Sequence, residues 1–168
     1  CTSRQKSRHP TQAVASCQGP ELTRPHHADI RVCMDDSPSV TIVIPAFDEA
    51  EGIEQTLRDL RAEVTDLPII VVDDGSTDDT VSWLHEHGAN LPHLRLIQQE
   101  HGGPAEGRNR GVAQARGDVI VFIDSDLVVT PSFLRCHAQA LARRWHQRGH
   151  RRCFTYGAVV NTARFEDP

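Results

Sequence analysis

Of three short aliphatic, β-branched runs, Ser39–Ile44 ends at Pro45 with Asp48-Glu49 shortly after, while Pro68–Val72 and Val119–Ile123 run straight into Asp73-Asp74 and Asp124-Ser125-Asp126. Runs of this length and composition are buried strands rather than helices. The first is followed by Ile53, Leu57, Leu60 and Val64, spaced i, i+4, i+7 and i+11, which predicts a helix with one apolar stripe and Glu51, Glu54, Arg58, Asp59 and Arg61 on its other faces. After the second, Asp78 and Asp79 suit a helix N-terminus, with Val81 and Leu84 on the buried side. A third strand is predicted around Leu94–Ile97, and Gly102-Gly103-Pro104 leads into a helix over about 105–116. Beyond Val119–Ile123, Thr130 is a candidate cap and Pro131 a first-turn residue for a helix burying Leu134, Ala138, Leu141 and Trp145. Alternation through Phe154, Tyr156, Ala158 and Val160 predicts a last strand over 154–160.

Strands alternating with helices imply α/β architecture, a mostly parallel open sheet with helices on both faces. In such sheets ligands bind outside the carboxyl ends of the strands. Here those ends carry Asp48-Glu49, Asp73-Asp74 and Asp124-Ser125-Asp126. Carboxylates gathered at one edge repel one another unless a cation or a donor-rich ligand compensates them.

Asp124 and Asp126 stand at i and i+2, so both point to one side if the strand continues. That spacing suits oxygen ligation of Mg2+ or Mn2+, leaving positions open to substrate phosphates, and such an ion offsets charge on a leaving diphosphate. Asp73-Asp74 offers acceptors to a uracil imide or to ribose hydroxyls. Pro45-Ala46-Phe47-Asp48-Glu49 is a stiff turn in which small Ala46 lets a base approach and Glu49 can accept from it. Arg108 or Arg110, on the helix after the Gly-rich segment, can pair with a diphosphate, with Gly103 and Gly107 keeping bulk away.

The chain has 168 residues, enough for one domain. Residues 1–38 show no period and are read as a disordered lead-in, and 39–168 as one folded α/β domain. A net charge of −5 argues against a nucleic-acid surface. Ten histidines, His26-His27 among them, lack ligand spacing. Five cysteines without a CxxC pair, and no apolar run behind Arg4, Lys6 and Arg8, favour a reducing, cytoplasmic setting. Residues 143–152, RRWHQRGHRR, read first as a solvated helix end, and the same charges suit an anionic membrane surface or lipid phosphate.

In four ordered motifs, SVTIVIPAFDEAEGI, IIVVDDGSTDDT, GGPAEGRNRGVAQARGD and VIVFIDSDLVV, the stretch from Ser39 to about Phe165 resembles family 2 glycosyltransferases, which have the GT-A nucleotide-sugar-binding fold. The resemblance implies a UDP-sugar or GDP-mannose donor and transfer with inversion to a saccharide or lipid-phosphate acceptor hydroxyl. It also implies Pro45, Ala46 and Glu49 around the nucleoside and Asp74 near the base. Arg108 falls near the base or diphosphate, Asp124 and Ser125 at the donor, and Asp126, the last acid of the DxD motif, on the metal. Asp48 stands where many members have Asn, adding negative charge beside the base.

The catalytic base of such enzymes lies further along the chain than Asp126. Glu166-Asp167 comes too soon to match it, so the acceptor half is expected beyond Pro168. A dinucleotide-binding alternative lacks GxGxxG after the first strand. A module that binds nucleotide-sugar without transferring it remains the other reading.

Overall fold

Side chains along a strand alternate between the two faces of a sheet, and the first predicted strand shows what that produces. Ile42, Ile44 and Ala46 join one apolar cluster, while Val43 joins a second on the opposite face. The computed structural model describes residues 13–16, 39–88, 90–130, 132–149 and 153–161, with 13–16, 63 and 158–161 described by backbone alone. In chain order the elements are β1 (Ala13–Ser16), β2 (Val40–Ala46), α1 (Ala50–Glu63), β3 (Ile69–Asp73), α2 (Thr80–Gly88), β4 (Leu94–Gln98), α3 (Pro104–Gln114), β5 (Val119–Phe122), β6 (Leu127–Val129), α4 (Phe133–Arg148) and β7 (Ala158–Asn161).

The main sheet has the order β4-β3-β2-β5 with every neighbour parallel. Connections therefore run to one side of β2 for β3 and β4, and to the other side for β5. The carboxyl ends of β2 and β5 flank that reversal, where an open α/β sheet leaves a crevice.

One face carries α1, α2 and the start of α4, through Ile53, Leu57, Leu60, Leu84, Phe133 and Leu134. The other is built from Val43, Ile70 and Val72 with Ile97, Ala115 and Ile120. The expected helices on both faces, and the α1 stripe, are thus present. At the amino ends, Asp118 Oδ2 accepts from the Ser39 N–H and hydroxyl at 3.1 and 2.8 Å, setting the register of β2 against β5.

Four expectations are corrected. Ala13–Ser16 is a strand, pairing parallel to β6 and antiparallel to β7 in a second sheet; partners distant in sequence give these four residues an order that their composition does not signal. The rest of 1–38 lies outside the described residues. The strand at the end begins at Ala158 rather than 154, because Thr155 turns inward to His137 while Phe154 and Tyr156 face outward. Thr130 stands two residues ahead of the N-cap position of α4, its carbonyl accepting from the Phe133 N–H at 3.1 Å. Ser132 holds that position with φ 72° and no side-chain cap bond, and its hydroxyl accepts instead from Arg135 at 2.6 Å. Finally, β5 is an edge strand, so Phe122 is exposed despite the apolar run around it.

Helix α3 lies close against the sheet because Gly111 has no side chain. A methyl there would collide with Val43 Cγ1, inside the second cluster. Alanine gains roughly 1 kcal/mol of helix propensity over glycine, but overpacking a stiff, buried β-branched neighbour costs about 1–3 kcal/mol. Gly111→Ala is therefore expected to lower unfolding free energy in urea by up to about 2 kcal/mol; a stabilised variant would contradict this packing.

Candidate functional site

The end of β2 is pinned by the loop after β3. Asp48 adopts a left-handed φ of 51°, a conformation that Asp and Asn tolerate better than most residues. Its Oδ1 accepts from the N–H groups of Thr77 and Asp78 at 2.7 and 3.3 Å, and its own N–H donates to Ser76 Oγ at 3.0 Å. The negative charge expected beside the base is thereby engaged by backbone amides, an acceptor role that Asn also fills with its carbonyl oxygen. Asp78 joins the starts of two helices, accepting from the Thr80 N–H at 2.9 Å and the Ala50 N–H at 3.3 Å. Burial opposes ionisation of Asp78, yet the Thr80 and Ala50 hydrogen bonds hold its carboxyl below its ordinary value.

At the end of β3, Asp73 Oδ1 accepts from the Ser76 N–H at 3.3 Å. Asp74 is buried, and its N–H donates to the Ala46 carbonyl at 2.9 Å, tying β3 to β2. Its carboxylate takes Gln99 Nε2 and the Gly102 N–H on Oδ1 at 2.6 and 2.9 Å, then the Gly103 N–H on Oδ2 at 2.8 Å, with His101 Nδ1 at 3.0 Å. Burial works against this charge, but the donors from Gly102, Gln99 and Gly103 and the nearby imidazole hold the carboxyl below its ordinary value. In this arrangement Asp74 organises the 99–103 loop, the lead-in to α3. Gly103 reaches φ 92° there, and a methyl at that residue would meet nothing within 4 Å; its requirement is conformational, not one of space.

Helix α3 then presents Arg108 toward the end of β5. Arg108 meets Asp124 Oδ1 at 2.5 Å, whereas Arg110 is exposed. β5 stops at Phe122 and the chain turns, the Leu127 N–H returning to the Asp124 carbonyl at 3.3 Å. The strand alternation expected to align Asp124 with Asp126 therefore lapses, and the two acids meet different partners. Buried Ser125 has its carbonyl held by Thr56 Oγ1 at 3.0 Å, and the same hydroxyl reaches the Leu127 carbonyl at 2.8 Å.

Asp126 lies beside Glu49. Between them is Gly52: a methyl there would fall 2.9 Å from the Ser125 carbonyl, 3.1 Å from Glu49 Oε2 and 3.2 Å from Asp126 Cα. Burial, followed by the charges of Asp126, Asp78 and Asp48, pushes the Glu49 carboxyl above its ordinary value. Neither Glu49 nor Asp126 has a salt-bridge partner among the described residues. No group of three His, Cys, Asp or Glu side chains among them encloses a metal position. Carboxylates are hard oxygen donors, and one or two of them with the remaining coordination left to water and phosphate suit Mg2+ or Mn2+.

The sequence-predicted residues Pro45, Ala46, Glu49, Asp74, Arg108, Asp124, Ser125 and Asp126 are linked around one sheet edge through the Ala46–Asp74, Gly103–Asp74, Arg108–Asp124 and Gly52 contacts. Glu166 and Asp167 lie outside the described residues. Sequence reasoning missed Thr56, Gly52, Gln99 and the Phe47–His101 ring pair, whose centroids are 4.4 Å apart. Only Gly52, a glycine in the first turn of a predicted helix, left any signal.

Asp74→Asn keeps the side-chain shape but loses the charge and turns an amide donor against other donors. It is expected to cost about 2–3 kcal/mol at neutral pH. Because the folded-state carboxyl titrates below 3.8, its contribution is complete above that value and is lost as pH falls through the lower folded value. Urea titrations of both proteins should therefore converge in strong acid, and a stability gap independent of pH would contradict the assignment.

A sequence profile for glycosyl transferase family 2 matches residues 41–147. Over 95 residues the chain is 40% identical to chondroitin synthase of Escherichia coli, covering 56% of this chain and 14% of that one. Mannosyltransferase PcManGT from Pyrobaculum calidifontis, solved with GDP-Man and Mn2+, aligns with a TM-score of 0.50 at 32% identity, covering 53% of this chain and 28% of the other. S. aureus TarS 1-349 in complex with UDP aligns with a TM-score of 0.54 at 28% identity, covering 64% and 33%. The chain spans less than a third of the length of the curated relatives it matches. With the parallel sheet, the acidic strand ends and a matched segment running from β2 into α4, this chain belongs to glycosyl transferase family 2.

Proposed function

We propose that this chain is the donor-binding part of an enzyme that transfers a sugar from a nucleotide diphosphate, a UDP-sugar or GDP-mannose, to an acceptor hydroxyl with inversion and with Mg2+ or Mn2+. The observation carrying this reading is the Glu49–Asp126 pair, two neighbouring carboxylates without a protein cation among the described residues, set where β2 and β5 part. The relatives solved with GDP-Man and Mn2+ and with UDP support the donor class.

In this reading Pro45 and Ala46 give the nucleoside a surface without bulky side chains, and Glu49 accepts from it. Asp74 keeps the Gly102–Gly103 backbone in place, and so fixes the start of α3. Arg108 exchanges Asp124 for a diphosphate oxygen, forming charge-assisted hydrogen bonds as the leaving group gains charge. Asp126 would hold the divalent ion, and Asp124 would be free to join it once Arg108 is released. When bound, that ion supplies Lewis-acid stabilisation to the departing diphosphate. The group that takes the acceptor proton comes from residues other than those described.

Calorimetric titration of UDP and of GDP, in Mn2+ and in chelator, tests the reading. At least one nucleotide is expected to bind about tenfold or more tightly with the ion, a difference of roughly 1.4 kcal/mol, and Asp126→Ala should remove the difference. Affinity indifferent to metal, or metal dependence that survives Asp126→Ala, would contradict it. Gly52→Ala should weaken metal-dependent binding by about tenfold with its helical circular dichroism retained, because the added methyl displaces the Ser125–Asp126 turn; unchanged affinity would dissociate that turn from the site.

A further inference from the structure

From Phe133 to Phe165 the chain contains seven arginines and neither Asp nor Glu, although the whole carries a net charge of −5. Four of these arginines, Arg135, Arg143, Arg144 and Arg148, are on α4, three of them in its last two turns. The C-terminal dipole favours cations, but it does not account for what lies alongside.

Residues 153–157 pass next to the end of α4 with alternating exposure. The inward positions are anchored: His137 Nδ1 meets Thr155 Oγ1 at 2.7 Å, and Gly157 lies against the rings of His137 and Phe133. The outward positions are Phe154 and Tyr156, 83% and 86% exposed. A cavity of about 260 Å³ between helix and segment is lined by Arg144, Arg148, Cys153 and Phe154.

We propose that this surface docks on an anionic lipid bilayer, with Arg144 and Arg148 at the lipid phosphates and Phe154 and Tyr156 in the interfacial layer. Guanidinium groups bind phosphate through paired hydrogen bonds, and basic residues near an anionic leaflet add attraction charge by charge. A soluble polyanion meets the charge but gives no apolar layer to two fully presented aromatic rings. A bilayer meets both, since aromatic side chains favour the headgroup boundary. No helix among the described residues is long and apolar enough to cross a membrane, and the proposed contact is made by surface side chains. The proposal does not depend on the donor-site reading, and its test involves no nucleotide.

Co-sedimentation with vesicles of phosphatidylcholine alone, and of an equimolar mixture with phosphatidylglycerol, tests it on the whole chain. Binding is expected only to the mixed vesicles and should fall with added salt. The double variant Arg144→Ala/Arg148→Ala should bind about thirtyfold less tightly. Phe154→Ser/Tyr156→Ser should weaken binding while keeping its salt dependence, and Arg58→Ala on exposed α1 should bind like the parent. All variants are checked for unchanged thermal unfolding, and a variant that unfolds is replaced by charge-neutral Arg→Gln at the same position. Equal binding to both vesicle types, no vesicle binding, or loss on Arg58→Ala equal to that of the α4 variant would overturn the proposal. Binding to heparin without binding to vesicles would also overturn it, and would mark a surface for acidic polymers instead.

Discussion

Like charges brought to one edge of a sheet raise one another's energy, and the parallel topology leaves this chain no means of separating them. β2, β3 and β5 all run the same way, so the acids that follow them arrive together. Most are then neutralised individually: Asp48 by the amides of Thr77 and Asp78, Asp73 by Ser76, Asp74 by the 99–103 loop, Asp78 by the starts of two helices, and Asp124 by Arg108. Glu49 and Asp126 are left without a salt-bridge partner among the described residues, and burial first, then the charges of Asp126, Asp78 and Asp48, raise the Glu49 carboxyl. Like charges held together at a partly buried site without compensation shift their protonation or recruit a counter-ion.

The neutralised acids form the scaffold that holds the other two. Asp48 and Asp73 accept from amides of the loop after β3, Asp78 from those at the starts of α1 and α2 and Asp74 from those of the loop after β4, while Asp124 pairs with the Arg108 side chain, so the loops are fixed by charge-assisted hydrogen bonds rather than by apolar packing, of which strand ends have little. Asp74 is the most connected, linking β2 through its own amide and α3 through Gly102 and Gly103. Below these polar joints lie well-packed elements: Gly111 brings α3 onto Val43, and Thr56 ties α1 to the turn after β5. The site thus stands on rigid helices and strands, with small residues placed where backbones approach closely.

Much of this was legible in the sequence because its signals are local. The β-branched runs, the i, i+4, i+7 stripe of α1 and the acids immediately after the strands all depend on residues within a few positions of one another. The topology then gathered Glu49, Asp74, Arg108, Asp124 and Asp126 to one edge, as the parallel order requires. What escaped involves partners far apart. Asp48 meets Thr77 across 29 positions and Thr56 meets Ser125 across 69, and no periodicity encodes such pairs. The separation of Asp124 from Asp126 was hidden because strand alternation was carried past Phe122, where the strand has already ended. Thr130 and Pro131 had the composition of a helix start, but the chain takes a left-handed residue at Ser132 before α4 begins.

The most direct measurement of whether one cation resolves the remaining repulsion is anomalous diffraction at the manganese edge from crystals grown with UDP and Mn2+. The account predicts one strong peak within about 2.2 Å of an Asp126 carboxylate oxygen, between the ends of β2 and β5, with the diphosphate on its open side and Arg108 turned from Asp124 toward it. A manganese ion bound elsewhere, or a diphosphate seated away from the carboxyl ends of the strands while Glu49 and Asp126 stay bare, would contradict it.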